Sequence, residues 1–213
     1  MRRTMPPLAL QFRAACDAAC ELATAGERVR VLADPAARRE LTLPRLEYLY
    51  EIAFLRMFVA WELFLEESFL RYMCGYTGFN QAPQQSVLGN YSRTLTDARS
   101  ALYGTQQYLL WHSPAKVIAR SQKIFKNGVH ETVISSTQAR IGHFSCIRHR
   151  IAHGQLDAQK KFDAATMTLV GRRYPASRVG RFLRDADPGL TPPTRWLSSI
   201  ADELANLALQ VAP

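Results

Sequence analysis

Apolar residues recur along most of this chain at intervals of three and four, the spacing that lines one face of an α-helix. The longest such run lies between residues 42 and 73. Tyr50, Phe54, Met57, Trp61, Phe64, Ser68 and Tyr72 form one stripe there, Thr42 offers an N-cap, Pro44 sits in the first turn, and Gly75 and Gly78 close the segment. Leu8–Leu32 is alanine-rich with a weaker period, and Asp34-Pro35 ends or interrupts it. Further helices are predicted over 95 to about 110, from Ser113-Pro114 to about Phe125, over 138–153 with Ser135 or Ser136 as cap, over 157–169 and over 194–211. Residues 78–90 read as a polar loop and 171–193 as irregular, and no Val/Ile alternation predicts a sheet. The expectation is an all-α bundle of about five to seven helices. An N-terminal helical extension (1–41) would pack on a domain (42–213) that includes a basic loop and the C-terminal helix.

One helix breaks its own pattern. On an ideal helix of about 100° per residue, Ile141, Phe144, Ile147 and Ile151 of "RIGHFSCIRHRIAHGQ" fall in one arc of roughly 120°. Arg148 lies inside that arc. Continuing round come Ala152, Ser145, His149 and His153, so the edge of the apolar face is a strip of Arg, small residues and two histidines. A guanidinium cannot shed its charge, so a half-buried one needs an anion. That anion is either a Glu of the long helix, such as Glu62 or Glu66, or a bound phosphate. The second reading suits RNA transesterification. Histidine can take the 2′-hydroxyl proton and protonate the leaving 5′-oxygen near neutral pH, while arginine stabilises the crowded phosphorane without a metal. Two copies of the strip facing each other across a dimer would supply both proton transfers.

Charge adds to this picture. The formal net charge is +9, and 22 of the 27 cations are arginine. Arginine's fork suits phosphate, although a GC-rich genome also enriches Arg over Lys. Arg172, Arg173, Arg178, Arg181 and Arg184 cluster without an acid between residues 164 and 184, with Tyr174 and Phe182 interleaved. Such a stretch either stacks bases and holds phosphates or is a solvated basic loop. Arg120, Lys123 and Lys126 form a second basic edge. Cys16, Cys20, Cys74 and Cys146 have neither disulfide nor zinc spacing, and His143 projects away from His149 and His153, so no metal or cofactor is expected. The most apolar segment, 52–70, carries Arg56, Glu62, Glu66 and Glu67, and no signal peptide is recognisable. A cytoplasmic protein without a membrane span is expected.

The hexapeptide Arg148-His149-Arg150-Ile151-Ala152-His153, followed by Gly154, resembles the Arg-x4–6-His signature of HEPN-domain proteins. The aromatic run "VAWELFLEESF" resembles the first long core helix of several branches, closest to the stand-alone ones tied to abortive infection and defence. The resemblance covers roughly residues 42–170. It implies a helical bundle that dimerises through the motif helices and acts as a metal-independent endoribonuclease, a toxin or defence effector with an antitoxin or defence partner. Many HEPN domains are instead non-catalytic RNA- or protein-interaction modules. On this reading Arg148 and His153 are catalytic with His149 assisting, and Arg150, Arg172, Arg173 and Arg178 contact RNA. Gln155 stands where some HEPN toxins carry a modifiable Tyr, so control through that residue is not implied.

Overall fold

The computed structural model describes residues 3–32, 34–79, 81–87 and 89–213. It is all-α: ten α-helices are found among the described residues, with one short 3-10 helix (Pro175–Ser177) and two-residue strands beside them. The first helix, α1 (Leu8–Leu32), and the long α3 (Leu43–Met73) have the bounds their patterns predict. Between them, Asp34 Oδ1 accepts from Ala36 N at 2.7 Å and starts a short α2 (Pro35–Glu40). All seven stripe residues of α3 are buried, and so are Leu46, Ala53, Phe58, Leu65 and Phe69, so the buried face of α3 is wider than the stripe itself.

Several later elements depart from expectation. A reciprocal capping box between Thr94 and Asp97 starts α4 (Leu95–Tyr103), but Gly104 at φ 55° ends it well before residue 110. After α5 (Pro114–Ile124) an unforeseen helix, α6 (Val129–Ser136), occupies the segment that was to cap the next one, so α7 (Gln138–Ala152) begins only after the break at Thr137. α8 (Leu156–Val170) ends at left-handed Gly171. The stretch expected to be irregular holds α9 (Val179–Arg184) and a minimal hairpin of β3 (Ala186–Asp187) and β4 (Thr194–Arg195) before α10 (Trp196–Val211). Near the N-terminus, β1 (Arg3–Thr4) pairs in parallel with β2 (Tyr76–Thr77). Expected helices numbered five to seven because the short ones lack a readable period. Among the described residues no helix is long and apolar enough to cross a membrane.

The chain divides into two compact units, and α1, α3, α7 and α10 supply residues to both. Unit 1 comprises Met1–Phe12, Ala60–Gly142 and Leu204–Pro213; unit 2 comprises Arg13–Val59 and His143–Glu203. In unit 1, Phe69 meets Trp111, Phe125 and His130 at centroid separations of 5.5, 5.2 and 5.0 Å. Ser68 Oγ lies 2.9 Å from His130 Nε2, and burial pushes the His130 pKa down to about 3, so this histidine is neutral core. In unit 2, Phe182 stacks on Trp196 at 5.1 Å and meets Phe162 and Tyr174 edge-on.

Candidate functional site

The predicted arc of α7 faces inward: Ile141, Phe144 and Ile147 are buried, Ile151 and Arg148 half-buried. His149 is half-buried and His153 exposed, as their places farther round the helix require. His153 N donates to His149 O at 3.0 Å, which holds His153 in the last helical turn; Gly154 and Gln155 then carry the chain directly into α8. The two imidazoles lie side by side, with centroids 4.6 Å apart and planes inclined by 52°.

That short turn brings the first turns of α8 beside the histidines. Lys161 Nζ and Asp157 Oδ2 form an ion pair at 2.7 Å, and the charges of both residues act on His149. Burial, then the charges of His153, Lys161 and Arg148, hold the His149 pKa below its ordinary value, with only Asp157 pulling the other way. His149 is therefore a neutral imidazole at pH 7, able to accept a proton. Asp157 and Lys161 were missed at the sequence level. Their i, i+4 spacing was visible, but their approach to His149 depends on the turn at Gly154.

The family, curated-protein and solved-structure comparisons return no match to this chain. The site therefore stands on its own geometry.

The arginines expected to contact RNA are placed unevenly. Arg173 is exposed. Arg172 Nη2 donates to Asp185 Oδ2 at 2.6 Å and to Tyr174 Oη at 3.2 Å, and its guanidinium lies over the Tyr174 ring. Arg178 Nε donates to the buried Glu47 at 2.8 Å. Arg150 Nη1 donates to His153 O at 3.3 Å, tying down the C-terminal end of α7. Arg184 Nε donates to Glu27 Oε1 at 2.8 Å, and Arg195 pairs with the same oxygen at 3.0 Å. Two arginines of the basic segment, Arg178 and Arg184, thus neutralise acids of α3 and α1, and Arg172 pairs with Asp185 just beyond the segment. Sequence spacing gave no sign of these partners. Among the described residues no group of three His, Cys, Asp or Glu side chains is placed to hold a metal ion.

Proposed function

We propose that this protein is a HEPN-type endoribonuclease that cleaves RNA by 2′-hydroxyl transesterification and acts as a toxin or defence effector. The observation that carries the reading is the His149–His153 pair at the accessible end of α7, with Arg148 on the adjacent edge of the same helix. His149 removes the proton of the 2′-hydroxyl. The freed oxygen attacks the neighbouring phosphorus while Arg148 stabilises the equatorial oxygens. The P–O5′ bond then breaks, and a protonated His153 delivers its proton to O5′. The products are a 2′,3′-cyclic phosphate and a free 5′-hydroxyl, and no metal takes part. The Arg and His ends lie about 140° apart on an ideal helix, so a two-fold dimer with both motif helices at its interface would present one copy's arginine to the other's histidines.

The decisive measurement is end-group analysis of RNA cut in EDTA. We expect cyclic or 3′-phosphate and 5′-hydroxyl ends, no cutting where a 2′-deoxynucleotide replaces the scissile ribose, and RNA binding without cleavage by His153→Ala. Metal-dependent products bearing 5′-phosphates would reject the mechanism. Light scattering should report a dimer at micromolar concentration, and a stable monomer would count against the shared site. The internal pairing of Arg172 and Arg178 favours a second reading, a non-catalytic HEPN-type interaction module. That reading predicts the same dimer, with no cleavage under any of these conditions.

A further inference from the structure

Unit 1 contains an open cavity of about 580 Å³ between α4, the segment that follows it and α5. Its walls are largely apolar, built from Met73, Leu102, Leu109 and Ile124, and two cations of α5, Arg120 and Lys123, lie along one side. The size falls within the range of small-molecule sites, and an apolar wall with a few convergent polar groups is their usual make-up.

Arg120 is the unusual member. Its guanidinium lies 4.3 Å from the centre of the Trp111 ring, which holds it in place by cation–π attraction. Its Nη1 is shut off from solvent and has no hydrogen-bond partner among the described residues. The carboxylate it senses, Glu66, is engaged by Arg99 at 3.1 Å. Burial lowers the Arg120 pKa, yet a guanidinium stays charged at neutral pH. The unliganded protein therefore keeps a fixed, incompletely satisfied cation beside an apolar cavity, and Lys123, one turn on and exposed, adds a second charge at the rim.

We propose that this cavity binds a small amphipathic oxyanion, a carboxylate or phosphate monoester head held by Arg120 and Lys123 with an apolar body against Met73, Leu102, Leu109 and Ile124. The hydrophobic walls favour a short aliphatic body, and two cations opposed by nearby Glu66 favour a single anionic head. The site shares no residue with the α7 histidines, so its binding can be measured independently of any cleavage.

The test is calorimetric titration of the full-length protein with octanoate, octyl phosphate and octanol. One equivalent of octanoate or octyl phosphate should bind, and whichever binds more tightly identifies the head group. Octanol should bind at least about ten-fold more weakly, since it lacks the charge. Arg120→Gln should weaken the anion by about ten-fold or more, and Lys123→Gln by a smaller factor. Ala119→Phe, at an exposed lining position, should block the cavity with the circular dichroism spectrum unchanged. Should Arg120→Gln fail to fold, the Lys123 and Ala119 variants decide the matter. Equal affinity for octanol and octanoate, no binding of either anion at millimolar concentration, or undiminished binding by Ala119→Phe would overturn the proposal.

Discussion

At the scale of single residues, the chemistry turns on which charges surround His149. Lys161 lowers its pKa and Asp157 raises it, and the two carry opposite signs although they form one ion pair. Removing either should therefore move the histidine in opposite directions. Lys161→Met takes away a cation and leaves the Asp157 carboxylate, so the His149 titration should shift upward; Asp157→Asn should shift it downward. Imidazole proton NMR across about pH 5 to 8 reads this directly. If His149 is the base, the acid limb of the cleavage rate follows the same two shifts. Shifts of the same sign in both variants would mean that the pair acts on His149 through structure and not through charge. The position of Arg148 on the edge of the buried arc was legible from the 100° period alone. The neighbours of His149 were not, because they belong to the next helix.

Among the elements, α9 shows how tertiary burial creates a helix that local pattern does not announce. Val179, Gly180, Phe182 and Leu183 are all buried in a six-residue helix too short to display a period. Gly180 lets the backbone of α9 close on α3: a Cβ there would lie 2.1 Å from Glu47 O, and Gly180 N donates to Glu51 Oε1 at 2.9 Å. No rotamer relieves a clash with backbone. Gly180→Ala should lower the melting temperature sharply, by an amount corresponding to roughly 3 kcal/mol or more, since α9 must move off α3. Arg178→Gln leaves the buried Glu47 carboxylate without its guanidinium. It should cost roughly 2 to 3 kcal/mol in urea denaturation, below the range for a fully buried pair because Arg178 is over a third exposed. Melting temperatures within a degree of wild type for both would show that α9 is not anchored this way. Salt dependence of RNA binding is accordingly better probed at Arg173 and Arg181, both exposed, whose replacement by Gln should flatten the slope without loosening the fold.

For the molecule as a whole, the arrangement of acids sets the response to pH. Burial alone would raise the Glu27 pKa, but hydrogen bonds from Arg184 and Tyr50 and the charge of Arg195 outweigh it and hold the carboxyl below its ordinary 4.5. A depressed carboxylate contributes stability above its unfolded pKa and loses it as pH falls through the folded value. Glu51 has the opposite sign: burial raises it, so protonation on acidification partly offsets the loss at Glu27. Urea midpoints should fall from about pH 5 to about pH 3 in the wild type. They should fall less steeply in Glu27→Gln and more steeply in Glu51→Gln. A Glu27→Gln protein with an unchanged pH slope would remove Glu27 from this account.

What the sequence determined by itself is what short-range physics determines. The all-α class, the bounds of α1 and α3, the buried stripe from Tyr50 to Tyr72 and the half-buried place of Arg148 follow from period, caps and breakers within a few residues of one another. The tertiary structure alone decided where the surplus arginines go. Arg178 and Glu47 are 131 residues apart, and Arg184 and Glu27 are 157 apart, so no local spacing links them. The same holds for α9, which exists because its apolar residues have a surface to cover, and for Arg120 on the face of Trp111. A charge run read along the chain shows only its sign. Whether each cation meets solvent, a phosphate or a buried carboxylate depends on which distant residues the packing of the helices brings within about 3 to 4 Å, where desolvation and pairing are settled together.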